Sequence, residues 1–316
     1  MIQWGINALN HGSSLAVFKD DKYISISSSA QDELPGDIIR TALYLGAPDR
    51  IFWYENPWLK KARQIYAKQY RTAFDMSTLP RQYLKRTSLS YAPITYTPHH
   101  ASHAASGYYT SPFSHCAIVV LDAIGEFECA TIWEGKHGEL KKVWSARYPN
   151  SLGLFYSAFT QFVGLTPIRD EYLLQKMAEQ GNPFNFRPTV ANYFESGVVD
   201  LNHNFHRGVL HWPANQLETL QEQCDLAAAV QERFEIEVGK VMALAKKLTN
   251  ADCLVYMGGC AMNSRANRNE VEPLFKYRWS LPNPGDPSSA LGAVLYHTKH
   301  RVYHNWGLVK HLDINV

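Results

Sequence analysis

An α/β fold with a duplicated architecture is predicted for this chain by three features. A strand–turn–strand pattern occurs twice, helical segments lie between and after the two occurrences, and the length of 316 residues suits two lobes or one large domain. Apolar residues make up 46% and charged residues 19%. That balance supplies a core and excludes a disordered, collagen-like or coiled-coil chain.

The first pattern begins with an apolar run at residues 2–6, broken by Asn10-His11-Gly12-Ser13-Ser14. Residues 15–18 resume it, Lys19-Asp20-Asp21 turns the chain, and residues 23–27 alternate apolar and polar side chains. The second begins with the buried-strand run 117–121, then Asp122-Ala123-Ile124-Gly125-Glu126. Residues 129–133 form its second strand, 134–138 a turn and 140–144 its third. The repeat is one of pattern, not of identity.

Helical spacing is expected at 37–45, 57–70 (Pro57 suits a first turn), 99–109, 152–163 and 170–179. Residues 182 to about 213, rich in Asn, His and Pro, read as an irregular connection, and 214–248 as more than one helix. Residues 254–257 make a buried strand ending in Gly258-Gly259, 282–287 a loop and 288–297 a last helix.

No run approaches the ~20 apolar residues of a membrane span. The start, MIQWGINALNHG, lacks the basic end and apolar core of a secretion signal. The five cysteines are scattered, without a CxxC pair, so neither disulfides nor a cysteine zinc site is indicated. A cytoplasmic protein without a membrane partner is expected. The net charge of +2 implies no particular partner.

The sharpest chemical signal is His99-His100-Ala101-Ser102-His103. On a helix, His99 and His103 share a face and could hold one ion. Neutral imidazole suits iron, zinc or manganese. The plain alternative is a pair of core or solvated histidines, and the helix phase decides whether His100 or His103 faces the ion. Asp122, at the end of an apolar strand, could complete a metal set, orient a phosphate or simply cap a turn. Asp286, in Pro284-Gly285-Asp286-Pro287, could cap the following helix or supply a fourth ligand. Gly258-Gly259-Cys260-Ala261-Met262-Asn263 follows a strand. Its glycines would let backbone approach a phosphate, though the spacing matches no P-loop and a tight turn explains it as well. His11 is a candidate acid/base group or a structural turn residue.

Taken together, these segments resemble the O-carbamoyltransferase family that modifies nodulation factors and antibiotics, and more distantly the tRNA threonylcarbamoyltransferases. The matching stretches are GIN…HGSSLAV at 5–17, HHASHAASGYYTSPF at 99–113, VVLDAIGE at 119–126, PNSLGLFYSAFT at 149–160, GGCAMN at 258–263 and NPGDPSSALGA at 283–293. The resemblance implies an actin-like, sugar-kinase-like (ASKHA) fold, two lobes each around a mixed five-stranded sheet with a central cleft. Residues 1–110 would form the first lobe and 111–316 the second, with the C-terminal helix returning to the first. It implies a metal, Fe(II) with manganese or zinc as alternatives, held by His99, His103, Asp122 and Asp286. It makes Asn7, Ser13, His100, Gly125, Gly258, Gly259 and Asn263 candidates for binding nucleotide or the carbamoyl group, and His11 the base for the acceptor hydroxyl. ATP, carbamoyl-adenylate or carbamoyl phosphate would serve as co-substrate.

Two departures stand out. The family's YrdC-like domain, which makes carbamoyl-adenylate, is expected to be absent, so a separate protein would supply the activated group or carbamoyl phosphate would be used directly. The family's DEYKVMGLAxYG reads DEYLLQKMAEQG at 170–181, with Leu173 at the lysine position and Lys176 three residues on.

The acceptor is read from charge. Lys60, Lys61, Arg63, Lys68, Arg71, Arg81, Lys85 and Arg86 cluster against Asp75, interleaved with Tyr66, Tyr70, Phe74 and Tyr83, and Lys299, Arg301 and Lys310 follow in a second stretch. Basic residues with aromatics suit phosphate contact and base stacking. The expectation is a DNA acceptor, the hydroxymethyl of 5-hydroxymethylcytosine, touched by Arg81, Lys85 and Arg86. A solvated helix face with a small acceptor such as a sugar or aminoglycoside is the alternative, and a non-catalytic partner subunit of a carbamoyl synthetase is another. A kinase is disfavoured, because phosphoryl transfer does not need the histidine pair.

Overall fold

The structure, a computed structural model, describes residues 1–304 except 88, 90, 211 and 213–216. Its first half runs β1 (Ile2–Asn10), β2 (Gly12–Lys19), β3 (Lys22–Ser29), α1 (Gly36–Leu45), β4 (Arg50–Trp53), α2 (Pro57–Tyr66), α3 (Tyr70–Phe74), α4 (Pro80–Arg86), β5 (Ile94–Tyr96) and α5 (His99–Thr110). The second runs β6 (His115–Gly125), β7 (Glu128–Lys136), β8 (Glu139–Arg147), α6 (Leu152–Phe162), α7 (Glu171–Ala178), α8 (Arg187–Ala191), α9 (Leu220–Thr249), β9 (Cys253–Met257), α10 (Ser264–Ala266), β10 (Tyr277–Trp279) and α11 (Ser289–Thr298).

The strands form two five-stranded sheets, ordered β3-β2-β1-β4-β5 and β8-β7-β6-β9-β10. The order is the same in both, and so is the sense. The opening meander pairs antiparallel, and the remaining two strands add in parallel. Both central strands also lose regular pairing at the same place, between Asn7 and Asn10 in β1 and between Leu121 and Gly125 in β6.

Side-chain alternation on β6 divides the interior. Ala117, Val119 and Leu121 face a core built with α6 and α9, whereas Ile118 and Val120 join Trp4, Ile6, Tyr108 and Val294 in a core shared by both sheets. Helix α5 lies inside that shared core with all twelve residues buried. Its Ala, Ser and Gly residues let neighbouring backbones come close. A Cβ on Gly107 would lie 2.4 Å from Val255 Cγ1 of β9. Helix α11 uses the same device: a Cβ on Gly292 would lie 1.7 Å from the Ser102 carbonyl oxygen of α5, and one on Gly5 of β1 would lie 1.8 Å from the Ala290 oxygen.

Local signals set several ends. Asn56 caps α2 by accepting from Trp58 N and Leu59 N, and Pro57 opens it. Helix α2 stops at Tyr66 rather than Tyr70, because Lys68 takes a left-handed conformation (φ 61°) and α3 starts anew. Residues 220–249 form one 30-residue helix rather than several, opened by a Thr219–Glu222 capping box and closed by left-handed Asn250. Residues 214–216 of that expected segment lie outside the described residues, as does Lys310. Among the described residues no helix is long and apolar enough to cross a membrane.

The α11–α5 contact gives a stability test. Gly292→Ala is expected to cost about 3 kcal/mol or more in denaturant unfolding, because the methyl meets backbone that cannot step aside. Gly138→Ala, with open space around it but φ +84°, should cost only about 1 kcal/mol. Equal costs would show that α5 and α11 are free to separate.

Candidate metal centre

Four side chains from three stretches of chain meet where the two sheets approach. His99 and His103 occupy the first turns of α5, Asp122 lies in the irregular end of β6, and Asp286 precedes α11. The helix phase brings His103, not His100, beside His99. The two Nε2 atoms are 3.1 Å apart. Asp122 Oδ2 lies 3.1 Å from His99 Nε2 and 3.3 Å from His103 Nε2, and Asp286 Oδ1 lies 3.3 Å from each. The four ligand atoms all fall within 4.8 Å of one another.

This arrangement fits a divalent ion. Donor edges of 3.1–3.3 Å suit ligands each about 2.1 Å from a shared centre. Asp286 Oδ1 is buried without a hydrogen-bond partner, and so is His99 Nδ1. Two imidazoles and two carboxylates suit iron(II), manganese or zinc rather than a soft or purely oxygen-seeking ion. Burial alone would discharge the histidines. The carboxylates outweigh it, Asp286 chiefly for His99 and Asp122 chiefly for His103, and hold His99 well above and His103 above the usual histidine value. Burial would likewise raise both carboxylates, and the facing imidazoles instead hold Asp122 and Asp286 low. The site is therefore built to keep anionic carboxylates next to positive charge.

Outer contacts fix the ligands. Asp122 Oδ1 accepts from Ala123 N (2.8 Å) and Gly259 N (3.4 Å). Asp286 Oδ2 accepts from Asn10 Nδ2 (3.0 Å). Ser289 Oγ sits 3.4 Å from His103 Nδ1. The His99 ring lies against Tyr54 (centroids 5.3 Å apart) and over Gly125, where a Cβ would come 2.3 Å from the ring. Gly125 is thus a seat for the imidazole. Glu126, next in the β6–β7 turn and in left-handed conformation (φ 56°), accepts from the His99 backbone N (3.4 Å) and from Asn56 N at the start of α2 (2.5 Å). Burial, only partly offset by these hydrogen bonds, pushes its carboxyl up to about 7.

The other expected residues fall into two groups. Asn7 is fully buried with neither amide atom partnered. His100 is held neutral by burial and by His99; its Nδ1 meets Thr131 Oγ1 (3.0 Å) and its Nε2 has no partner. Gly258 (φ 91°) allows the turn after β9 to pass Leu121, whose oxygen would be 2.1 Å from a Cβ. These three offer unspent groups or close backbone. By contrast, Ser13 Oγ donates to Glu33 O (3.1 Å), and the Asn263 amide exchanges both its groups with Gln231 (3.0 Å each). His11 is exposed at the β1–β2 turn, beside Asn10. Lys176, three residues after Leu173, lies exposed, over the Tyr172 ring.

Half of the basic segment's eight cationic residues are engaged in contacts of the fold. Lys60 pairs with Glu55 (2.6 Å), Lys61 Nζ donates to Thr72 O, Asp75 O and Thr78 Oγ1, Arg63 donates to Gln69, and Arg86 pairs with Glu33 (2.7 Å). Arg81 and Lys85 are exposed on α4, and Lys68 and Arg71 beside α3 are exposed as well. Sequence reasoning missed Tyr54, Asn10 as a partner of Asp286, and Glu126 as a backbone anchor. The last two lay inside motifs it had singled out.

A family model described as carbamoyltransferase N-terminus matches residues 52–295. An uncharacterized protein of Synechocystis is 31% identical over 226 residues, covering 64% of this chain and 36% of its own length. Nodulation protein NolNO of Sinorhizobium fredii is 27% identical over 220 residues, covering 66% of this chain and 32% of its own. The chain thus spans about a third of the length of the curated relatives it matches. Among solved structures, component A of (R)-2-hydroxyglutaryl-CoA dehydratase from Acidaminococcus fermentans is similar at a TM-score of 0.51 and 12% identity, over 95% of this chain and 99% of that one. Full-length HypF, in a phosphate- and nucleotide-bound form, matches at 0.50 and 13% over 94% of this chain and 55% of its own. At such identities the likeness is one of fold, the two-lobed actin-like fold.

His99→Ala and His103→Ala are each expected to lose most of the metal bound after anaerobic loading with ferrous ion, read by elemental analysis. Glu126→Gln would place an amide N–H against the His99 N–H and should weaken loading roughly tenfold. Full metal content in both histidine variants would dismiss the centre.

Proposed function

Because the chain belongs to the carbamoyltransferase N-terminus family, we propose that it transfers a carbamoyl group from a phosphate-activated donor, carbamoyl phosphate or carbamoyl-adenylate, to an acceptor hydroxyl. The observation that carries the reading is the convergence of His99, His103, Asp122 and Asp286 with unspent amide and imidazole groups on Asn7 and His100. The nodulation relative and the nucleotide-bound HypF structure support it.

A bound divalent ion, iron(II) by resemblance, would supply a Lewis acid for the donor's oxygen. The chain's own residues do the rest. Asn7 offers one donor and one acceptor, the complement of a carbamoyl group's own amide. His100, neutral at physiological pH, offers Nε2 as a second polar contact. The Gly258-Gly259 turn brings backbone close to the donor's phosphate side. His11, beside Asn10, takes the acceptor proton as the new O–C bond forms and the bond from carbon to the phosphoryl oxygen breaks, the leaving phosphate keeping that electron pair. A separate carbamoyl-adenylate-forming protein would be the partner if the adenylate is the donor.

Charge bears on the choice of acceptor. With Lys60, Lys61 and Arg63 engaged inside the fold, and Arg86 paired with Glu33 at the surface, the basic segment offers DNA only part of the face that its sequence promised. A small hydroxylated metabolite is therefore favoured over 5-hydroxymethylcytosine in DNA.

The test incubates purified protein and ferrous ion with carbamoyl-adenylate, or with carbamoyl phosphate and ATP. Acceptors are a polyol and sugar panel and, separately, DNA containing 5-hydroxymethylcytosine, with mass spectrometry as readout. A sugar or polyol heavier by one carbamoyl group is expected, with kcat falling about 10²-fold in His11→Ala. Modified DNA, with affinity falling steeply in salt, would overturn the acceptor assignment. Absence of product from every donor and acceptor would overturn the transferase itself.

A further inference from the structure

Helix α2 is folded inside out. Its Lys61, Arg63 and Gln64 are buried, whereas Trp58, Leu59, Ile65 and Tyr66 are 44–65% exposed, and Ala62 between them is exposed as well. At about 3.6 residues per turn these five share one face, the reverse of the usual amphipathic helix. The fold fixes the inversion. Lys61 Nζ donates to Thr72 O, Asp75 O and Thr78 Oγ1, and Arg63 donates to Gln69 Oε1. Rolling the apolar face inward would strip both cations of these acceptors. Helix α3 follows and adds Tyr70 and Phe74, four residues apart and both exposed.

An aromatic side chain carries about 150–250 Å², so the α2 face leaves roughly 400 Å² of apolar surface open, and Tyr70 with Phe74 roughly 200 Å² more. Single exposed apolar residues need no explanation, but a stripe of this area marks an interface. A stable dimer buries about 800 Å² per partner, of which about 60% is apolar. The two helices together supply an apolar area of that size.

Three features point to a second copy of this chain as the occupant. The α2 face carries no charge, so a two-fold axis through it brings no like charges together. Its one small residue, Ala62, lies midway along the stripe, where crossing helices need room. An antiparallel crossing at that point sets Trp58 of one copy beside Ile65 and Tyr66 of the other, twice over. It also carries the exposed Lys68 of each copy toward the Trp58 ring of the other, a favourable approach of cation to indole. A helix lying on a membrane would instead set cations beside its apolar face, whereas those of α2 are held by Glu55, Gln69 and the α3 region.

We propose that α2 is the centre of a two-fold dimer interface, in which Ala62 of one copy crosses Ala62 of the other. Sedimentation equilibrium on the full chain tests it, and wild type should be dimeric at about 20 μM. Ala62→Arg sets two guanidinium groups against each other on the axis and should weaken the dimer at least 100-fold. Because Ala62 is exposed, that variant should keep the wild-type circular dichroism spectrum, which separates lost association from lost fold. Ala62→Cys should cross-link as a dimer under mild oxidation, and Tyr44→Cys, exposed on α1, should not.

A wild type that stays monomeric at about 100 μM would overturn the dimer. So would a dimer that survives Ala62→Arg, or one that cross-links as readily through Tyr44→Cys as through Ala62→Cys. Monomeric wild type that binds vesicles of phosphatidylcholine and phosphatidylglycerol, with binding lost in Ala62→Arg, would overturn it in favour of a membrane surface.

Discussion

The close crossing of α5 and α11 is the constraint on which the rest depends. The α-carbon of Gly292 rests against the Ser102 carbonyl, a contact no side chain would permit. That approach fixes the start of α11 over the first turns of α5. Asp286 is thereby delivered to His99 and His103, although nearly two hundred residues separate them in the chain. Gly5 under Ala290 holds the same helix against β1, and so Asn10, at that strand's end, reaches Asp286. Glycine and alanine thus position the charged residues here. The apolar cores hold the sheets, but the small residues set the distances.

Unpartnered buried polar groups are scattered through the described residues, from Trp4 and Tyr193 to Tyr256 and Thr298, and one set of them gathers at the candidate metal centre. Asn7, His100 Nε2, Tyr54 Oη, His99 Nδ1 and Asp286 Oδ1 are buried without a hydrogen-bond partner, on or beside the candidate metal centre, although Asp286 Oδ1 faces both imidazoles at 3.3 Å. A native interior tolerates few such groups, because each carries the cost of lost hydration. Gathered in one place, they describe a surface shaped for something that brings its own donors, acceptors and charge. The Gln231–Asn263–Tyr156 network behind the second sheet is the opposite case, with its bonds made among its own members.

Much of this was legible in the sequence, for identifiable reasons. The two meanders are visible because their strands are long and alternate, and the pairing of His99 with His103 because i and i+4 fall on one helical face. Strands β4, β5 and β10 are not, since three or four residues in a parallel position carry no period of their own. The long segment that holds helix α9 reads from sequence as more than one helix, yet Thr219 and Glu222 at one end and Asn250 at the other mark a single helix. The basic run from Lys60 to Arg86 misleads most. Charge counted along a chain says nothing about which ammonium groups the fold will turn inward, and Lys61 and Arg63 are turned inward to tie α2 to α3 and its flanking turns. Glu126 escapes notice because its work is done on backbone N–H groups of distant residues, which no local pattern records.

Burial around the candidate centre is uneven, and this gives access to it a direction. The imidazoles of His99 and His103 are at most 1% exposed, whereas the side chains of Asp122 and Asp286 keep 15% and 12%. Helix α5 is walled in on every side, so nothing arrives from behind the histidines. Whatever exchanges at this centre enters and leaves over the carboxylates, and the two faces of an incoming planar group are therefore not equivalent.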